Sequence, residues 1–191
     1  MNYKFVQKRI DYTGEQLRSH WIYENFELPG DVIVVFRGAA NVNKYLVDMV
    51  DAQKKEYIYS KDMLHFIVEH FSLDLEKTIA YQRLLAAIMG EVINAYPGVN
   101  DSLPEGSISK GCQIKRYGDD LYDGQEKLTV SIATLTPVST MIHAGINISS
   151  QETPVPTKGL LDYGMSETDI ASFAETVCSR YTEEIKSIRL A

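Results

Sequence analysis

Two segments of this chain carry apolar residues on one helical face only, and a one-faced helix must lie against a flat partner. Asp74 can cap a helix running to about Ala95, in which Tyr81, Leu84, Leu85, Ile88 and Val92 recur at helical spacing. Pro97-Gly98 stops it. Ser166 and Asp169 form a capping box that opens a final helix with Ile170, Phe173, Val177, Tyr181, Ile185 and Ile188 along one side. Between the two lies a block rich in β-formers, which is the surface that both helices need.

The strands are readable from composition. Tyr3–Val6 reads as a short strand, and Val32-Ile33-Val34-Val35-Phe36 as a buried one because of its β-branched content. Thr13 followed by Gln16 predicts a helix through about Phe26, and Leu28-Pro29-Gly30-Asp31 a turn. Met63–Phe71 favours a strand over a helix, whereas Val42–Ile58 is ambiguous and mixed in character. Ile114–Tyr122 and Leu128–Thr134 flank Asp123-Gly124-Gln125-Glu126 as a hairpin. A turn at Thr136-Pro137-Val138-Ser139 leads into a strand over Met141–Ser149, followed by a loop over Gln151–Gly159. The order predicts an α+β fold, an antiparallel or mixed sheet with helices packed on it.

At 191 residues the chain fits one domain, and 45% apolar with 24% charged residues is ordinary for a folded protein. No apolar run approaches the roughly 18 residues of a membrane span, and the first nine residues lack a signal-peptide core. The cytoplasm is therefore the expected compartment. Cys112 and Cys178 stand far apart without a C-x-x-C partner, which suits reduced thiols and excludes a zinc ribbon. A net charge of −7 argues against a large nucleic-acid footprint. Asn100–Ser109, with Pro104 and Gly106, reads as a mobile loop.

Several residues can carry chemistry, each with a plainer reading beside it. Asp119, Asp120, Asp123 and Lys127 make the richest cluster. Carboxylates at a hairpin end can hold Mg²⁺, and a nearby lysine can neutralise a phosphoryl or acyl oxygen, but a solvated turn has the same composition. Arg37, beside Gly38 at a strand end, can grip a carboxylate or phosphate with two bonds, or bond backbone carbonyls. His143 and Asn147 share one face of their strand. With a turn near Pro137, Lys127 lies across from the Asn147–Ile148 end, making one pocket rim of Lys127 and Asn147. His143 then sits roughly 15 Å away at about 3.3 Å per residue. His65-Phe66-Ile67-Val68-Glu69-His70 has one residue too many between His65 and Glu69 for an inverted zinc-protease motif, so polar strand residues are the better reading. No P-loop, Rossmann or nucleophile-elbow glycine motif occurs.

Val34-Val35-Phe36-Arg37-Gly38, Tyr59–Glu69, Gly118-Asp119-Asp120-Leu121 and Lys127–Thr134 together resemble the largely archaeal family catalogued as domain of unknown function 366, over nearly the whole chain. More distantly, Gly118-Asp119-Asp120-Leu121, Lys127-Leu128 and His143-Ala144-Gly145-Ile146-Asn147-Ile148 are similar to the central block of biotin and lipoate protein ligases and octanoyltransferases. That likeness implies their α+β scaffold. It makes Lys127 the counterpart of the lysine that contacts the reacting carbonyl and phosphate. Two departures matter. Tyr59-Ser60-Lys61-Asp62-Met63 stands where lipoate ligases carry an arginine- and glycine-rich stretch, and Pro156 or Thr157 where octanoyltransferases carry a cysteine.

The resulting expectation is a small-molecule site that activates a carboxylic acid with ATP. Lys127 and His143 are its catalytic groups, Asp119 and Asp120 its Mg²⁺ ligands, and Arg37, Lys61, Arg116 and Asn147 its grip on the nucleotide. A binding module that has lost the chemistry is the alternative, and a homodimer paired through an exposed strand is a third reading.

Overall fold

A computed structural model of the protein describes residues 1–42, 58–100, 114–151, 153 and 155–191. Strands β1 (Asn2–Val6), β2 (Val32–Val42), β3 (Ile58–His70), β7 (Thr129–Leu135) and β8 (Thr140–Asn147) form a five-stranded sheet in the order β1-β2-β3-β8-β7. Only the β1–β2 pair is parallel, so the sheet is mixed and the fold α+β as expected. A small sheet of β4 (Ile114–Tyr117), β5 (Asp120–Asp123) and β6 (Glu126–Lys127) leads into β7.

Helices α2 (Leu75–Asn94) and α3 (Glu167–Leu190) cover one face of the large sheet; α1 (Trp21–Phe26) belongs to the other. Both long helices start at the expected caps. Asp74 accepts a bond from the Lys77 amide, and Ser166 and Asp169 close a full capping box. On the helix side, Ile33, Val35, Leu64, Phe66, Val68, Ile142, Ala144 and Ile146 meet Leu85, Ile88, Phe173, Val177 and Tyr181 in one core. Ile188, expected on that face, is instead 44% exposed, as every residue of α3 after Ile185 is exposed.

The opposite face is closed by residues 7–28, a strap that packs Tyr12, Trp21 and Ile22 against Val32, Val34, Phe36, Ile67 and Met141. Burial on both faces explains why β2 opens as an unbroken apolar run. The strap runs alongside the far half of β2 through three backbone bonds: Ile10 N–H to the Arg37 carbonyl, Tyr12 N–H to the Ala39 carbonyl, and Asn41 N–H to the Tyr12 carbonyl.

Three expectations need correction. The helix foreseen from Thr13 begins only at Trp21. The Thr13 amide does bond the Gln16 side chain, but Gln16 is buried and also donates to the Asp11 carbonyl, so the box closes a turn. Ile114–Tyr122 is two strands, since Gly118 adopts φ +63° and reverses the chain there. Arg37 does not follow its strand but lies within it, one residue before a register shift between Gly38 and Ala40. Most of Val42–Ile58, the loop Asn100–Ser109 apart from its first residue, and Cys112 lie outside the described residues.

Candidate functional site

Lys127 ends β6, where the small hairpin hands over to the large sheet. Its backbone is fixed on one side by the Pro156–Lys158 segment: Lys127 N–H donates to the Pro156 carbonyl at 3.1 Å, and Lys158 N–H to the Lys127 carbonyl at 3.2 Å. Its Nζ lies 2.6 Å from Asp120 Oδ2, with the lysine side chain 31% exposed. Thr129 Oγ1 donates to Asp120 Oδ1 and accepts from the Leu121 amide, which holds the carboxylate in place. Burial alone would lower the Lys127 pKa, but Asp120 outweighs it and holds the ammonium above its ordinary value. Burial keeps Asp120 above the usual carboxylate range even beside that cation. Lys127 is therefore a fixed positive charge, unsuited to act as a base near neutral pH.

Asp119 turns the other way. Its Oδ2 accepts from Gln82 of α2 at 2.9 Å, and the Ser131 hydroxyl lies 3.1 Å from the same oxygen. The two carboxylates expected to share Mg²⁺ thus serve different partners. Lys127 holds the Asp120 oxygen that a cation would need, and no group of three His, Cys, Asp or Glu side chains suited to a metal occurs among the described residues. This donor set does not fit a divalent cation.

His143 and Asn147 share one face of β8, and Asn147 stays near Lys127: its Nδ2 lies 3.5 Å from the Lys158 carbonyl, while the Lys158 amide bonds the Lys127 carbonyl. The register is as expected, with Asn147 N–H bonded to the Leu128 carbonyl. Thr129 pairs with Ile146, which places Thr129, Ser131 and Ala133 on the helix side of β7 and leaves His143 on the face that meets Tyr12 of the strap. Asn147 accepts from Ser60 Oγ at 3.1 Å and is buried. His143 Nε2 lies 3.0 Å from His65 Nδ1, and Tyr12 stacks on the His143 ring with centroids 3.6 Å apart. Burial pushes His65 down to about 4 and holds His143 well below its ordinary value, the neighbouring His65 adding to the second effect.

The anion-binding residues are dispersed too. Arg37 does make the expected two-bond grip, but on the protein's own Asp62: Nε to Oδ1 at 2.8 Å and Nη2 to Oδ2 at 2.5 Å. Its remaining nitrogen reaches Glu167 at the start of α3, and Arg9 shares Asp62. Lys61 is exposed beside Asp62, and exposed Arg116 donates to the Gly118 carbonyl of its own turn.

The sequence reading placed Asp123 in the acidic cluster but missed its partners Lys158 and Tyr163. Asp123 Oδ2 receives Lys158 Nζ at 2.7 Å and the Tyr163 hydroxyl at 2.9 Å, stapling the 156–163 segment to the hairpin beside Lys127. It missed the His65–His143 pair as well. The only available signal was that the two histidines fall on strands that can be neighbours.

The model of the family described as Domain of unknown function (DUF366) matches residues 1–191, and the chain belongs to that family. A protein of unknown function from Pyrococcus horikoshi is 35% identical and superposes with a TM-score of 0.83, over 98% of this chain and 94% of that one. A biotin protein ligase from Aquifex aeolicus, solved with biotin and ATP, superposes at 0.61 with 14% identity, over 97% of this chain and 70% of that one. A candidate lipoate protein ligase from T. acidophilum gives 0.55 at 12% identity, over 96% and 86%. The fold is therefore that of the biotin and lipoate protein ligases, and at these identities the likeness is one of fold alone.

Proposed function

For this member of the DUF366 family, we propose that the chain binds a small carboxylic acid and a nucleotide beside Lys127 and activates or transfers the acid. The observation that carries the reading is Lys127 itself: a partly buried ammonium, kept charged by Asp120, on a backbone clamped between the hairpin and the Pro156–Lys158 segment. A fixed cation in a partly dry site stabilises negative charge developing on an acyl or phosphoryl oxygen. A protein of the same fold, the Aquifex ligase, holds biotin and ATP. Arg37 is committed to Asp62 and Glu167, so it acts by fixing the start of α3 rather than by holding phosphate.

The test is a thermal-shift and pyrophosphate-release series with ATP, AMP, biotin, lipoate and octanoate. A ligand at a hundredfold excess over its Kd stabilises the native state by about 2.7 kcal/mol. That shift and any pyrophosphate release should vanish in Lys127→Ala. Nucleotide affinity and turnover that survive the substitution would remove Lys127 from the site. The second reading, a module that binds without turnover, is supported by the Lys127–Asp120 contact, which already neutralises the cation. Pyrophosphate formed with any acid in the series would end that reading.

A further inference from the structure

The first part of the strap, residues 10–12, is held to the sheet by three backbone bonds and by the Ala39 amide on Asp11, and further along the buried Glu69 carboxylate accepts from the His20 amide. Tyr12 in that first part stacks on a pair of histidines to which no carboxylate is hydrogen-bonded among the described residues. His65 Nε2 lies 3.3 Å from the Gly38 carbonyl, an oxygen that can only accept, so this nitrogen carries the hydrogen. A neutral His65 then offers a bare Nδ1, to which His143 Nε2 donates across 3.0 Å. The arrangement works with both rings neutral. A proton added to His65 Nδ1 sets two N–H groups against each other. If the proton goes to His143 instead, or if His143 exchanges its tautomer to accept from a protonated His65, an imidazolium is still left in a site that is 0–3% exposed.

Among the described residues no carboxylate is hydrogen-bonded to either ring. Tyr12 of the strap stacks on both rings, with centroids at 3.6 and 5.3 Å. Phe36 of β2 packs on His65, and β3 and β8 contribute Met63 and Gly145. The nearest carboxylates are Asp11 of the strap and Asp62 of β3. Asp11 accepts from the Ala39 amide, and Asp62 is held by Arg9 and Arg37.

We propose that the His65–His143 pair is a proton-operated latch: proton uptake releases the strap and uncovers the sheet face that carries Phe36, His65 and His143. The strap is the joint that yields, because three backbone bonds hold residues 10–12 whereas β3 and β8 share an eight-residue ladder. Closed, the pair binds no proton; open, both imidazoles are ordinary and bind two below about pH 6.5. The open-to-closed ratio then rises about a hundredfold per pH unit lost, tenfold for each proton.

Trp21, the only tryptophan, is 7% exposed within the strap and packs on Phe36 at 6.0 Å between centroids, so its emission reports release. Wild-type protein is titrated from pH 7.5 to 4 with Trp21 fluorescence and far-UV circular dichroism read together. The expected result is a red shift of Trp21 emission with a two-proton slope, while the dichroism holds. His143→Gln, whose amide still donates to His65, should show a one-proton slope. In the His65→Gln/His143→Gln double variant the transition should leave this pH window. A double variant with the wild-type midpoint, or emission and dichroism moving as one, overturns the latch. Should the double variant not fold, hydrogen exchange of wild-type residues 10–12 and 140–147 at pH 7 and 5 decides. Protection lost in the strap alone supports the latch, and equal loss in both overturns it.

Discussion

Gly38 is where the strap and β2 come closest, and Gly38→Ala measures how much that contact contributes. A Cβ there would lie 1.9 Å from the Ile10 carbonyl oxygen and 2.5 Å from its carbon, against an ordinary contact of 3.4 Å or more. Both are backbone atoms that no side-chain rotation can move. The strap must retreat by about 1.5 Å, which takes its three bonds to β2, now 2.8 to 3.0 Å, beyond hydrogen-bonding range. At about 1 kcal/mol each, their loss costs about 3 kcal/mol. Unstacking Tyr12 from His143 adds about 1 kcal/mol. Urea unfolding followed by both Trp21 emission and far-UV dichroism should show a loss of about 3–4 kcal/mol in stability, with Trp21 red-shifted before unfolding begins. A loss below about 1 kcal/mol with native Trp21 emission would refute the reasoning, since it would mean the strap gives way without cost.

Ser166→Ala removes the Oγ that accepts from the Asp169 amide and leaves the backbone half of the α3 capping box, the residue-166 N–H on the Asp169 carboxylate, in place; it should lower stability by about 1 kcal/mol, and a Tm within error of wild type refutes it. Burial pushes the Asp31 carboxyl up, but bonds from His70, the Phe71 amide and Arg189 outweigh it and hold the group below the usual carboxylate range. Its stabilisation is therefore complete above about pH 4 and lost as pH falls further. Asp31→Asn should cost about 2–3 kcal/mol at pH 7 and flatten the acid limb of stability. An unchanged acid limb would refute it.

What could be read from the sequence is what short-range physics decides. Asp74 and Ser166 cap helices through residues three positions away, and Val32–Phe36 betrays its double burial by composition. Lys127 and Asp120 were visible together because one hairpin joins them. The end of β8 that lies by the β6–β7 junction was legible from the turn at Pro137, and the Asn147 amide does bond the Leu128 carbonyl; the Lys158 carbonyl that Asn147 reaches comes from a later segment and was not legible. The His65–His143 contact crosses between two strands far apart in the chain, and the Arg37 fork on Asp62 depends on the β2–β3 register. Neither leaves a periodic trace. Thr13 and Gln16 misled because half a capping box also closes a turn, and the burial of Gln16 is a tertiary fact.

The central position of β3 also governs how the chain can be made. Its partner β2 precedes it closely, but its other partner, β8, pairs Met63 with Asn147 and is synthesised more than seventy residues later. Until then Leu64, Phe66, Ile67 and Val68, all fully buried in the finished protein, sit on an open strand edge. A ribosome-bound intermediate of this protein carries a ready template for pairing with other chains, and closure of the sheet waits on a contact of high sequence separation. Slow elongation through the helical stretch before β4 would prolong that exposure, so expression yield should depend on translation speed there more than on the stability of the native fold.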